Sequence, residues 1–305
     1  MIVVGGEALV DLVPGESILD SGLTALAPRL GGGPYNVALA AGRLGAPTAF
    51  LSRLSRDRFG QAMRRRLTES DVDISMVQSG AEPTTLAVVA LDERGAASYT
   101  FYTEGTADRL VADPGPLPAG VSVLCVGTLG MVLEPGASTY EAVLRREAAR
   151  GVLTALDPNI RAGLIPDADA YRRRFASWLP DVRLLKLSDD DAAWLAGGDP
   201  VAAATGWLDA GVDAVVLTRG TEGIAVHTRK GAVFVPSAPA CVVDTIGAGD
   251  TVQGALLAWL HQHDVCMITE LNPAEWREAL SYAAKAAAIT VSRSGAEPPT
   301  AAEMV

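Results

Sequence analysis

Six short aliphatic and β-branched runs, at residues 2–6, 48–54, 121–127, 152–157, 182–188 and 213–218, recur along this chain with helix-length segments between them. The helical segments include 34–45, 57–70, 138–151 and 167–179. Strands separated this way pair in parallel, because a parallel connection needs a crossover of a dozen residues or more while a hairpin needs only a few. The runs are almost continuously apolar rather than alternating, which predicts strands buried on both faces between layers of helices.

Two stretches break the alternation. Residues 8–17 and 84–105 carry strand-type runs in succession, the second with the turn signal Asp92-Glu93-Arg94-Gly95. Short turns mean antiparallel pairing. The expected fold class is therefore α/β: a mostly parallel sheet flanked by helices, with a small β-sheet lid. The core takes residues 1–7, 31–83 and 106–305, and the lid takes 8–30 and 84–105. The Pro- and Gly-rich run at 112–120 reads as a loop returning to the core. Ligands of an open parallel sheet sit beyond the carboxyl ends of its strands. A small sheet laid over that edge can exclude water from a reaction.

Composition removes several classes of function. Acidic residues outnumber basic ones, 36 to 25, which disfavours nucleic acid or an anionic membrane as a partner. No apolar run approaches the length of a membrane span, and the start lacks the basic and apolar regions of a secretory signal. Cys125, Cys241 and Cys266 have no paired or metal-like spacing and read as buried thiols in a reducing, cytoplasmic protein.

Two glycine-rich turns open apolar helices. In DTIGAGDTVQGALLAWL, Asp244 to Leu260, Gly247 and Gly249 allow close backbone approach, and a helix start presents N–H groups with partial positive charge. Asp250 in that turn could simply cap the helix. Within an anion site, however, a carboxylate repels phosphate unless it takes a proton from an attacking hydroxyl. No Walker-type Gly-Lys-Ser or Gly-Lys-Thr is present. The second turn, Gly31-Gly32-Gly33-Pro34-Tyr35-Asn36, precedes an apolar helix from Val37 to Leu44. Proline at a helix start is expected, and three glycines suit either a tight turn or a ligand held against the backbone.

These motifs, with GGEALVD, DPNIR, KLSDDDAAWL, LTRGTEGIAV and AAAITVSRSGAEPPT in this order, resemble the ribokinase-like (PfkB) carbohydrate kinases nearly end to end. The resemblance implies ATP-dependent phosphorylation of a sugar hydroxyl with Mg²⁺ on the phosphates. Asp250 matches the catalytic base, and Gly247, Ala248 and Gly249 match the anion hole. Asp11, Gly32, Gly33, Asn36, Phe101 and Arg161 match sugar-binding positions. Lys186, Ser188, Thr218, Arg219, Gly220 and Gly223 match the nucleotide side. Where relatives carry Asn-x-x-Glu, this chain has Ser188 and Asp191, one methylene shorter, so Asp191 is expected to reach Mg²⁺ through water. Asp244, Ile246, Thr290 and Gly295 match positions where some relatives hold a monovalent cation such as K⁺.

The lid run YTFYTEGTAD is most similar to bacterial fructokinases, but Thr103 replaces their arginine. A keto-acid substrate needs a guanidinium for its carboxylate, so a neutral sugar, fructose, is the expected acceptor. The alternatives are 2-keto-3-deoxygluconate, a nucleoside of the adenosine type, or a sugar-binding regulator without catalysis. Relatives often pair through their lids, so a homodimer is expected.

Overall fold

A computed structural model describes residues 1–18, 23–91 and 97–305. The turn signal at 92–95 lies outside the described residues. In chain order the strands are β1 (Ile2–Gly5), β2 (Leu9–Ile18), β3 (Thr24–Gly31), β4 (Thr48–Ser55), β5 (Val72–Asp73), β6 (Val77–Gly80) and β7 (Thr85–Leu91). They continue with β8 (Ala97–Tyr102), β9 (Val123–Gly127), β10 (Leu153–Asp157), β11 (Leu184–Ser188), β12 (Ala214–Thr218), β13 (Gly223–Thr228) and β14 (Gly231–Pro236). The helices are α1 (Gly33–Arg43), α2 (Arg58–Glu69), α3 (Gly136–Ala149), α4 (Ala168–Trp178), α5 (Asp189–Ala196), α6 (Pro200–Asp209), α7 (Ala248–Gln262) and α8 (Pro273–Val291).

The main sheet runs β14-β13-β12-β11-β10-β9-β1-β4-β5, with β6 also pairing β4. All its pairs from β12 to β5 and β6 are parallel, and β13 and β14 add an antiparallel edge. Side chains of β1 show why the run is apolar throughout. Ile2 and Val4 enter one core with α1, α7 and α8, while Val3 enters the other with α3 to α6. Each face of a strand buried on both sides needs its own apolar set.

The lid is a four-stranded sheet in the order β3-β2-β7-β8. Pairing within β2/β3 and β7/β8 is antiparallel, as the short-turn pattern predicts, and β2/β7 is parallel. β3 has no alternating signal and contains Pro28, tolerable because β3 is an edge strand. α1 begins at Gly33 rather than Val37, since Pro34 already fits the first turn. One expectation fails: Cys125 is buried, but Cys241 and Cys266 are exposed. Apolar neighbours in sequence do not bury a residue that sits outside a packed element. Among the described residues, no helix is long and apolar enough to cross a membrane.

Candidate active site

The parallel strands end together. Beyond β1 come Gly6 and Glu7, beyond β9 Thr128, beyond β10 Pro158 and Asn159, and β11 and β12 close on Ser188 and Thr218. The starts of α1 and α7 meet these ends, and the lid leaves and returns through residues 6–8 and 31–33.

At the start of α1 each glycine has its own reason. A Cβ on Gly31 would lie 2.5 Å from Asp11 Oδ2. Gly32 has φ +112°, and a Cβ there would meet the Glu7 carbonyl at 2.7 Å. On Gly33 it would stand 2.5 Å from Thr128 Oγ1 and 3.2 Å from Asn159 Nδ2. The glycines make room for the protein's own groups, side chains at Gly31 and Gly33 and backbone at Gly32. Glu7 then fixes the turn: its carboxylate accepts from the Gly33 N–H at 3.1 Å and the Gly130 N–H at 3.0 Å. Burial pushes Glu7 up to about 8.

The start of α7 is built differently. Gly247 is left-handed, at φ +76°, and no side chain caps the helix. No side chain occupies its first N–H groups, although the Ala248 N–H donates to the Thr245 carbonyl at 3.3 Å. Asp250 is 8% exposed, and its Oδ2 accepts from Asn36 Nδ2 at 2.9 Å. The contact depends on a close crossing of α1 and α7, because a Cβ on Gly254 would stand 2.6 Å from Ala40 Cβ. Burial raises the Asp250 carboxyl above its usual range, opposed by the Asn36 hydrogen bond and the charges of Lys186 and Arg161.

Lys186, on β11, reaches the same place. Its Nζ pairs with Asp157 Oδ2 at 2.8 Å, and a Cβ on Gly249 would stand 3.0 Å from it. Burial works against the ammonium, but Asp157, Asp250 and Asp191 outweigh it and hold Lys186 above its ordinary value. Burial pushes Asp157 up to about 6, opposed by the Lys186 charge and hydrogen bond. Asp157 Oδ1 is buried without a partner among the described residues.

Asp11 is raised to about 6 by burial, with Arg161 pulling it down and Asp250 pushing it up. Arg161 Nη1 donates to Asn159 Oδ1 at 2.7 Å, and Asn159 holds a left-handed φ of +39°. Phe101 packs from the small sheet beside Leu9, Ala87 and Leu129.

The nucleotide-side positions have mixed explanations. Ser188 and Asp191 form a capping box on α5, and Asp191 Oδ1 also accepts from the Ile160 N–H at 2.8 Å. Thr218 Oγ1 donates to the Leu187 carbonyl at 3.3 Å. Arg219 is turned toward Asp189, 3.6 Å away. Gly220, at φ +51°, faces open space, whereas a Cβ on Gly223 would collide with the Val235 carbonyl, so that glycine serves the strand pairing. Asp244 joins Ile246 and Gly295 by accepting both their N–H groups, at 3.0 and 2.9 Å. Thr290, at the end of α8, bonds Thr251 through its hydroxyl at 3.0 Å.

Sequence reasoning missed Glu7, Thr128, Asn159 and the pairing of Asp157 with Lys186. Glu7 was detectable as a lone charge in the apolar run VVGGEALV. Thr128 carried no signal, because its place depends on which strand end adjoins Gly33.

What this assembly can do chemically is limited. A buried carboxylate, an uncapped helix start and a buried ammonium lie against one another, which suits proton removal beside an anion.

The family model for the pfkB family carbohydrate kinase matches residues 1–302. A fructokinase from Rhizobium leguminosarum bv. trifolii is 41% identical over 263 residues, 85% of this chain and 79% of its own length. A crystal structure of fructokinase with bound ATP from Xylella fastidiosa superposes with a TM-score of 0.89 at 27% identity, covering 99% of this chain and 96% of that one. A fructokinase double mutant from Vibrio cholerae O395, in its fructose-, ADP- and potassium-bound form, superposes at 0.83 with 25% identity, covering 97% and 93%.

Proposed function

Because this chain belongs to the pfkB family of carbohydrate kinases and is an ATP-dependent sugar kinase, we propose that its acceptor is fructose and that Asp250 is the base that activates the sugar hydroxyl. One observation carries the reading: Asp250 stands buried at an uncapped helix start, oriented by Asn36 and one turn-residue away from the Lys186 ammonium.

Asp11 and Arg161 offer an acceptor and a donor to the sugar hydroxyls, with Gly32, Gly33 and Asn36 forming the floor and Phe101 the roof. The N–H groups of Gly247, Ala248 and Gly249 hold the transferred phosphoryl group, and Lys186 adds its charge. Thr218, Arg219, Gly220 and Gly223 line the nucleotide side. Mg²⁺ arrives on the ATP phosphates; Asp157, with its unpartnered oxygen, would hold it, and Asp191, whose oxygens already accept from Ile160 and Ser188, would reach it through water. When bound it neutralises phosphate charge. Among the described residues no cluster of three His, Cys, Asp or Glu could hold a metal without the nucleotide. K⁺ is assigned to the segment joining Asp244, Ile246, Thr290 and Gly295, supported by the potassium-bound Vibrio cholerae enzyme.

A homodimer through the lid is supported by the exposure of Leu23, Leu26, Tyr99 and Tyr102 on its strands and loop. A monomer by light scattering at micromolar concentration would remove that part of the proposal.

The test of substrate is ADP release over fructose, ribose, 2-keto-3-deoxygluconate and nucleosides, in wild type and Arg161→Ala. Fructose as the best acceptor, losing about 1–3 kcal/mol of apparent affinity in the mutant, is expected for one or two lost hydrogen bonds. Preference for the keto acid, collapsing selectively by about 3–5 kcal/mol on truncation, would replace fructose, because a buried carboxylate would be left unpaired.

A further inference from the structure

The segment Gly295-Ala296-Glu297 lies outside the pocket, yet the anion-hole turn rests on it. A Cβ on Gly247 would stand 2.5 Å from Ala296 Cβ and 3.0 Å from its Cα, so backbone and methyl form the surface beneath that turn. The segment is held at both ends. On one side the Gly295 N–H donates to Asp244 Oδ2 at 2.9 Å, and Asp244 Oδ1 accepts from the Ile246 N–H just before the turn. On the other, Glu297 is straddled by two arginines from different helices. Arg43 Nη1, in the last turn of α1, donates to Oε2 at 2.9 Å, and Arg66 Nη2, in α2, donates to Oε1 at 2.8 Å. Arg66 Nη2 also donates to the Ala296 carbonyl at 2.9 Å.

We propose that Glu297 is a positioning residue for phosphoryl transfer: the Arg43–Glu297–Arg66 clamp sets where the anion-hole turn stands relative to Asn36 and Asp250. α1 carries Asn36, which orients the base, and also Arg43, which holds Glu297. Glu297 holds Ala296, and Ala296 supports Gly247. The clamp thus joins the helix that aims Asp250 to the turn that receives the phosphoryl group. An isolated exposed ion pair contributes little to stability. Here two arginines converge on one half-exposed carboxylate, and what they set is a position. Misplacement by about 1 Å in a reacting site can cost up to 10²-fold in rate. A cavity of about 680 Å³, lined by Arg43, Arg66, Glu297 and Thr300, flanks the clamp. Truncating Glu297 therefore opens on space already present rather than a sealed core.

The proposal rests on the kinase reading for its rate arm, and its second arm does not. Glu297→Ala and Glu297→Gln should lower kcat about tenfold while the sugar KM stays within twofold, because the sugar floor belongs to other residues. Amide hydrogen exchange across 244–250 should quicken in both variants, with exchange in β9 and β10 unchanged. The double variant Arg43→Gln/Arg66→Gln should reproduce both effects. A kcat within twofold of wild type, or a loss shared equally by sugar KM, would overturn the positioning role. Unchanged exchange at 244–250 would overturn it even if no sugar were turned over. Absence of turnover in the wild type itself, with exchange altered as expected, would count against the kinase reading alone.

Discussion

The two glycine-rich helix starts look alike in sequence and are filled differently. At Gly31-Gly32-Gly33 the missing side chains are replaced by the protein's own groups: Asp11, the Glu7 carbonyl, Thr128 and Asn159 fill those positions. At Gly247-Ala248-Gly249 no side chain caps the helix; Ala296 backs Gly247, and only the Lys186 ammonium stands where a Gly249 Cβ would point. One turn is packed to completion, which makes a rigid floor. The other has no side chain on its N–H groups, of which Ala248's donates to the Thr245 carbonyl at 3.3 Å. A glycine run therefore does not by itself mean a ligand against the backbone; what occupies the vacated space decides.

The largest effect that separates the two turns is chemical. Asp250→Asn should lower kcat about 10²–10⁴-fold with little change in sugar or nucleotide binding, read from steady-state kinetics. A mutant within a few-fold of wild type would mean that the α7 turn does not hold the base. Next come the glycines themselves. Gly33→Ala drives a methyl into Thr128 Oγ1 and should cost about 1–3 kcal/mol of stability, as overpacking does. Gly249→Ala meets only the terminal ammonium of Lys186 at 3.0 Å, which can shift by a few tenths of an ångström on its long stem, so its unfolding midpoint should change less while kcat falls. Equal destabilisation by both substitutions would erase the distinction.

A smaller effect tests how the turns communicate. Asn36 donates to the ionised Asp250, so its hydrogen bond lowers a carboxyl that burial has raised. Removing it should raise that carboxyl further. In Asn36→Ala the acid limb of kcat/KM should therefore move to higher pH, and a shift the other way would refute the assignment. The smallest concerns Glu7, whose folded value of about 8 stands above its unfolded 4.5. Between those values the folded state binds more protons, so this group's contribution declines as pH rises. Denaturation of wild type and Glu7→Gln should then diverge against the wild type from pH 4.5 to 8. A constant difference would mean that Glu7 is ionised throughout.

The alternation of apolar runs and helical segments was enough to read the mostly parallel sheet, because a strand buried on both faces must be apolar along its whole length, and the runs in succession were enough to read the smaller second sheet. Asp250, Asn36 and both glycine turns were likewise legible, since helix starts leave a local signature of glycine, proline and acid. Only the tertiary structure decided that Asn36 meets Asp250, which are 214 positions apart, and that Lys186 reaches Gly249. Tertiary packing also decided that Arg219 turns toward Asp189 and that Cys241 and Cys266 are exposed, whereas the Ser188–Asp191 cap of α5 is a local contact that the acidic run already suggests. Each of these depends on which strand ends adjoin and how closely two helices cross. A local pattern records the period and burial of an element, and carries no record of its neighbour across the sheet.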